Sequence, residues 1–249
     1  MRKLKTAVLL IAALHGANAW AASSDEIQVY DDAISDPGEA DMDVHINYVP
    51  SGIKTPAYPG EIPAHHNFRI TPEFAYGLNK NWDAGLYLPI IREGGGDWHA
   101  EGMKLRLKYM ADHSTVGFYW GLNGELGYSS HRTEEQHWNF ELRPILGYKN
   151  KDWNLTLNPI FGTALSGSDH TPGFSPAVKI SRRVTEKTWI SIEHYADYGP
   201  TNALRSLTQE TYLTTDTEVF GHALNIGFGR GWTKDSNDWT LKAIVNVPF

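Results

Sequence analysis

The last eleven residues of the chain alternate between apolar and polar side chains as far as the terminal carboxylate. Apolar residues occupy every second position from Trp239 to Phe249, and polar residues such as Lys242 lie between them, with Ile244 and Pro248 as exceptions. Successive side chains of a β-strand point to opposite faces. The segment therefore predicts a strand with one apolar and one mostly polar face, which needs partner strands from the rest of the chain.

The same period-two alternation recurs in earlier segments, which are joined in turn by short connections and longer polar loops. The predicted strands cover residues 42–48, 68–76, 82–90, 103–109, 116–126, 138–146, 153–161, 174–180, 188–194, 209–219, 224–228 and 239–249. A transmembrane barrel has short turns at its periplasmic end and longer outer loops, whereas a soluble sandwich has no reason to sort its loops in this way.

The strand at residues 209–219 is predicted from topology as much as from its own pattern. Without it the count is eleven, and the C-terminal strand would end on the outer side, although both ends of such a barrel lie on the periplasmic side. With it, residues 220–222 form a tight turn and the count is twelve. We therefore predict an all-β, antiparallel, up-and-down transmembrane barrel of twelve strands. Ten strands are the alternative, if residues 42–48 form an arm and one weak pair fails.

The beginning of the chain reads as a targeting segment. A short basic start, an apolar run over residues 6–14 and small residues near Ala19 predict a secretory signal peptide over residues 1–21. The run is too short to span a bilayer as a helix. The acidic residues 22–41 are expected to form a periplasmic N-terminal segment, and residues 42–249 the barrel.

Composition narrows the function classes. The chain has no cysteine, which excludes a disulfide framework and thiolate chemistry, and its net charge of -7 gives no sign of nucleic-acid binding. Aromatic residues make up 12% of the chain, and many lie at the ends of alternating segments, where the interfacial girdles of a barrel need them.

Four prolines contradict a regular barrel. Pro72, Pro144, Pro159 and Pro176 lie within the predicted strands. Proline cannot donate a ladder hydrogen bond and is confined to edges, strand starts or bulges. A closed barrel has no edges, so we expect bulges or strand ends at these positions.

Several stretches carry a resemblance to known proteins, namely residues 26–32, 59–63, 193–199, 227–231 and 241–244. With them the chain resembles a family of uncharacterised proteobacterial outer-membrane β-barrel proteins, loosely grouped with transporters. The resemblance implies location in the cell outer membrane and contact with its lipid, and it carries no catalytic residues. The terminal Phe249 is typical of the closing strand of such barrels, which implies that the barrel-assembly machinery recognises this strand.

Enzymatic signatures are weak. Lipid hydrolases of this architecture use a Ser nucleophile beside a His base, but His-x-Ser does not occur. Ser129 and His131 have the reverse order in a predicted loop. Ser191 and His194 are three positions apart, so their side chains point to opposite faces of the predicted strand. The histidines of the predicted loops lack the spacing of a structural zinc site. We expect no enzymatic activity, no cofactor and no metal.

The polar face of the predicted strands is rich in charge. The lumen candidates are Arg69, Glu73, Lys104, Arg106, Lys108, Glu125, Glu141, Arg143, Lys179, Glu193 and Lys242, with Asp216 and Glu218 on the same face. Charges inside a barrel are costly unless they are paired or wet. Either ion-pair networks close the lumen, or walls of unlike sign line a narrow pore.

Lys104, Arg106 and Lys108 form a cationic row on one predicted strand. Such a row could pass anions, or it could pair with Glu125 or Glu141 on neighbouring strands, which we favour. We expect a passive channel or transporter for small polar or anionic solutes. A structural or surface-interaction barrel with an ion-paired closed lumen is the alternative, and a lipid-modifying hydrolase is the third hypothesis.

Overall fold

One antiparallel sheet dominates the computed structural model, which describes residues 26–248. Its strands are β1 (Ala40–Ser51), β2 (Phe68–Asn79), β3 (Trp82–Tyr87), β4 (Ile90–Arg92), β5 (Trp98–Ala100), β6 (Gly102–Met110), β7 (Gly117–Ser129), β8 (Trp138–Lys149), β9 (Trp153–Asn158), β10 (Phe161–Ala164), β11 (Gly173–Phe174), β12 (Ala177–Arg183), β13 (Trp189–Asp197), β14 (Thr208–Val219), β15 (His222–Gly231) and β16 (Trp239–Pro248). The predicted signal peptide and Phe249 lie outside the described residues.

The sheet closes on itself. β1 pairs with β16, from Asp41 opposite Pro248 to Tyr48 opposite Leu241, and also with β2. Four barrel strands are each interrupted once, as β3 and β4, β5 and β6, β9 and β10, and β11 and β12, so the sixteen elements make twelve barrel strands. The predicted twelve-stranded antiparallel barrel is confirmed.

The strand that we inferred from the need for an even strand count is present as β14, which pairs with both β13 and β15. Phe220 and Gly221, with φ of 53° and 85°, form the two-residue turn that follows it. Positive φ at both central residues is the geometry that matches the twist of a β-hairpin. This turn and the one at residues 80–81 lie at one end of the barrel, and the longest loops, residues 52–67 and 198–207, lie at the other.

The prolines are accommodated in two ways. Pro159 and Pro176 lie in the interruptions between β9 and β10 and between β11 and β12, which confirms the expectation for these two. Pro72 and Pro144 lie inside β2 and β8, so the expectation was wrong for them. At both positions it is the neighbouring strand that breaks, between β3 and β4 and between β9 and β10. A proline has no N–H to offer a partner at that point.

The outer surface of the barrel is apolar. Leu105, Trp120 and Ile192 are 54%, 54% and 55% exposed, and they share this face with many other large apolar side chains. Arg230 lies against the rings of Trp232 and Trp239, as expected for an interfacial girdle. An apolar outside around a polar inside suits a bilayer and is unsuited to water. Within residues 26–248, no helix is long and apolar enough to cross a membrane.

Candidate functional site

The N-terminal segment, residues 26–39, lies inside the barrel. It joins β1 at the turn end, where the backbone N–H of Gly38 donates to the carbonyl of Gly77 (2.8 Å) and that of Gly77 to the carbonyl of Glu39 (3.0 Å). A Cβ atom at Gly77 would lie 2.0 Å from the carbonyl oxygen of Asp36, so a glycine is needed for this close approach. The described part of the segment that we expected in the periplasm therefore runs along the lumen wall.

Tyr30 is buried at the centre of this segment. The Asn158 side chain accepts a hydrogen bond from the Tyr30 backbone N–H (2.7 Å) and donates one to its carbonyl (2.9 Å). The Tyr30 hydroxyl bonds to the Tyr87 hydroxyl and donates to Glu125 (3.3 Å). The Arg143 guanidinium lies 4.3 Å from the centre of the Tyr30 ring. One residue of the segment thus contacts β3, β7, β8 and β9.

Glu26 lies between two cations of the wall. Its carboxylate oxygens are 3.5 Å from Lys104 Nζ and 3.5 Å from Arg143 Nη1. Burial, followed by the charge of Glu125, raises the pKa of Glu26 to about 7, although Arg143 and Lys104 act in the opposite direction. Removal from water therefore outweighs the two cations at this carboxyl group.

Oxygen atoms of the segment contact further cations of the wall. Lys242 donates to the carbonyl of Ile27 (2.8 Å), and Lys149 donates to both carboxylate oxygens of Asp32 (3.0 and 3.1 Å). His113 Nε2 lies 3.2 Å from the same carboxylate. At its turn-end half the segment is also held by Lys108, which donates to the carbonyl of Ala33.

The eleven predicted lumen residues all lie on the inner face. Ten of them are buried, namely Arg69, Glu73, Lys104, Arg106, Lys108, Glu125, Arg143, Lys179, Glu193 and Lys242, and Glu141 is partly buried beside Arg143 at 2.8 Å. Asp216 joins them through Lys179 at 2.9 Å. Glu218 does not, because it lies at the exposed turn end of β14 and pairs with Lys187.

The three cations of the row on β6 have different partners. Lys104 lies 3.4 Å from Glu125, which confirms the expected pairing for this residue. The expectation was wrong for the other two. Arg106 lies 3.2 Å from Glu73 and 3.1 Å from Asp83, because β6 has β3 on one side and β7 on the other. Lys108 reaches the N-terminal segment instead.

The prediction missed several wall residues, among them His45, Asp83 and Glu101. His45 pairs with Glu73 (3.1 Å) and Asp83 with Arg106, and both follow from the parity of their strands. Glu101 binds Arg69 at 2.9 Å and lies in the break between β5 and β6, where period two fails. The alternation of faces along a strand could have identified His45 and Asp83, but it could not have identified Glu101.

The serines and histidines considered for hydrolysis are separate. Ser129 accepts a bond from Asn139, and His131 contacts the carbonyl of Glu135 in the loop. Ser191 is buried inside, whereas the side chain of His194 bonds to residues 209 and 211 on the outer face. Within residues 26–248, no group of three or more acidic and histidine side chains could hold a metal ion.

The ion pairs of the wall and the contacts of the N-terminal segment differ in how many strands of the barrel they span. Arg106 with Glu73, Lys179 with Glu193 and the other wall pairs named above join barrel strands no more than three apart. The segment, by contrast, contacts β16 through Ile27 and β6 and β8 through Glu26, which lie on distant parts of the barrel circumference. It is the element that links opposite sides of the lumen.

No protein-family model and no curated protein sequence matches the chain. Among solved structures, an outer-membrane channel from Pseudomonas putida F1 is similar with a TM-score of 0.65 and 11% identity, covering 90% of this chain and 100% of that one. The KdgM porin in complex with disordered oligogalacturonate (TM-score 0.54, 11% identity, 84% and 99% covered) and the NanC porin (0.54, 12%, 84% and 98%) are also similar. The chain therefore has the fold of outer-membrane channels and porins.

Proposed function

We propose that the protein is a passive channel of the outer membrane for small polar or anionic solutes, and that the N-terminal segment restricts passage through it. The observation that carries this proposal is how far around the barrel each kind of contact extends. The named ion pairs of the wall run around the barrel, and the link between its opposite sides is a chain segment that is not part of the sheet. Such a segment can leave the lumen without breaking a barrel strand.

The chemistry of the wall supports an aqueous path. Neutral hydrogen-bonding side chains share the inner face with the charges, among them Asn47, Thr71, Asn123, Thr156 and Ser181. Burying polar groups in a permanently dry interior costs free energy unless all of them are satisfied. A wall of this kind is therefore suited to water and small solutes once the segment moves.

The class of solute is proposed from the cations that the segment covers. Lys108, Lys149 and Lys242 all bind oxygen atoms of the segment. A ring or row of positive side chains favours anions in a pore. The structural similarity to KdgM, whose structure contains oligogalacturonate, is in keeping with an anionic solute.

A structural barrel with a closed lumen is the second candidate, and the complete burial of Arg143 among Glu26, Glu141 and Tyr30 favours it. Single-channel recording of the full chain in planar bilayers separates the two. A channel gives unitary current steps, and a salt gradient gives a reversal potential of the sign expected for anions. The heat-modifiable migration of the protein in gel electrophoresis shows whether it is folded. Folded protein that gives no current in the bilayer would establish the closed barrel instead.

Two further proposals complete this function. The protein acts without enzymatic chemistry, and release of fatty acid from detergent-dispersed lipid, lost on replacing His131 or His194, would contradict this. The assembly machinery of the outer membrane recognises the C-terminal strand, which in the structure pairs with β1 and β15 to close the barrel. Removal of Phe249 is expected to lower the yield of assembled barrel in the membrane.

A further inference from the structure

We infer that residues 26–33 occupy the binding site of a linear, carboxylate-bearing oligosaccharide, which enters the lumen by displacing them. This inference rests on the proposed channel function and deepens it. It makes the N-terminal segment a tethered competitor of the solute, so that the contacts of the segment with the wall show where the groups of the solute would bind.

The first argument is the match between the oxygen atoms of the segment and the cations of the wall. Asp32 receives two hydrogen bonds from Lys149, and the carbonyl groups of Ile27 and Ala33 receive bonds from Lys242 and Lys108. These cations come from different strands and follow the segment along the lumen. A mobile anion that offered oxygen atoms at similar intervals would satisfy the same donors.

The second argument is length. Glu26, beside Arg143 and Lys104, and Asp32, beside Lys149, are six residues apart in a segment without helix. Arg143 and Lys149 are themselves six residues apart on β8, and a strand rises ~3.3 Å per residue, so their backbone positions are about 20 Å apart. A single small carboxylate would reach only one of these places, whereas a linear oligomer with repeated carboxylates would reach both.

The third argument is the neutral part of the site. Asn158 binds both a donor and an acceptor of the segment, and the hydroxyl of Tyr87 bonds to that of Tyr30. Close by, the Tyr119 hydroxyl bonds to Asn154 and Thr156 (2.8 and 2.7 Å). Amides and hydroxyls that both donate and accept are suited to the hydroxyl groups of a sugar chain.

The test is block of the ionic current by hexagalacturonate, with uncharged maltohexaose as the comparison. The full chain is measured in planar bilayers at about pH 8, above the pKa of Glu26, so that this carboxyl group is ionised. D32N removes the partner of Lys149 and loosens the competitor. D36N is the matched control, because Asp36 is an exposed carboxylate of the same segment.

Half-maximal block by hexagalacturonate is expected at a concentration about tenfold lower in D32N than in wild type, which corresponds to ~1.4 kcal/mol. D36N is expected to behave like wild type, and maltohexaose to block none of the three. A synthetic peptide with the sequence of residues 26–36 should compete with hexagalacturonate in D32N. Equal block by maltohexaose, equal effects of D32N and D36N, or no competition by the peptide would each overturn the inference.

A second measurement separates this inference from the channel function. Calorimetric titration of hexagalacturonate into folded protein in detergent micelles reports binding without any current. Binding that is tighter in D32N and weaker in K149Q, with a silent bilayer, would overturn the channel and retain the site. Current in every variant, with no calorimetric binding, would retain the channel and overturn the site.

Discussion

The side-chain amide of Asn158 binds both backbone groups of Tyr30, accepting at 2.7 Å and donating at 2.9 Å. The pair of bonds imitates the contact that a neighbouring β-strand would make, yet the segment is not a strand of the sheet. A polar side chain of the wall thus satisfies a buried piece of backbone that would otherwise lack partners. This residue pair attaches the middle of the segment to β9.

Replacing Asn158 by Ala is expected to loosen the N-terminal segment and leave the barrel intact. Two hydrogen bonds are lost, each with a net contribution of about 0.5–1.5 kcal/mol, and two backbone groups lose their partners. Limited proteolysis should cut residues 26–39 about tenfold faster or more. The control is Asn139→Ala, because Asn139 bonds to Ser129 in the wall instead. Equal cleavage of both variants would show that Asn158 does not hold the segment.

Acid is expected to hold the segment in place. The pKa of Glu26 is raised to about 7 in the docked segment, from an ordinary value of about 4.5 in water. The docked state therefore binds more protons between these values, so docking weakens as pH rises through this window and changes little above it.

The open fraction of the channel should accordingly rise between about pH 5 and about pH 8. Glu26→Gln, which cannot ionise, should remove this dependence and leave the current at the level seen in acid. Glu125, Arg143 and Lys104 surround the carboxyl group. They remain in E26Q, so the titration of this variant shows any pH dependence of the current that they cause by themselves. A pH profile identical in wild type and E26Q would assign the dependence to another group.

Ion pairs inside and outside the barrel should differ sharply in their effect on stability. Arg143 is fully buried against Glu26 and Glu141. Arg143→Ala therefore removes the partner of Glu141 and leaves the buried Glu26 with Lys104 alone, and it should cost about 3–5 kcal/mol of the free energy of unfolding. Lys187 pairs with Glu218 at the surface, and Lys187→Ala should cost at most about 1 kcal/mol. Urea unfolding in lipid vesicles measures both, and similar costs would contradict the buried network.

The contact of the apolar outer face with lipid can be tested by comparing substitutions at different depths in the membrane. Leu105 is exposed in the middle of β6, opposite Leu126. Leu105→Arg should cost about 2–4 kcal/mol in phospholipid vesicles, as expected near the bilayer midplane. Phe220→Arg, in an exposed two-residue turn, should cost only about 0–1 kcal/mol. Equal costs would mean that these positions do not differ in membrane depth.

The barrel was accessible to sequence reasoning because its signal is local. Period-two alternation predicts where strands lie and which side chains share a face, and the even strand count revealed β14. Proline positions were harder to interpret. Pro72 lacks an N–H, but the structural consequence falls on the neighbouring strand, between β3 and β4, which no local pattern of β2 indicates.

The pairing inside the lumen was less accessible. Parity predicted that Arg106 faces inward, but its partners Glu73 and Asp83 depend on the relative register of β2, β3 and β6. Lys108 shows the limit most clearly, because its partner is a carbonyl of a segment without periodicity. A side chain's face follows from one strand, whereas its partner follows from several.

By itself the sequence determined where most strands lie, that their number is even, and the division of the barrel into an apolar outside and a charged inside, because these features depend on alternation and on the order of short and long loops along one chain. Only the tertiary structure decided that residues 26–39 lie in the lumen and that Tyr30 meets Asn158. The reason is physical: the segment has no repeating pattern, and its position is set by donors and acceptors that closure of the barrel brings together from β3, β6, β8, β9 and β16.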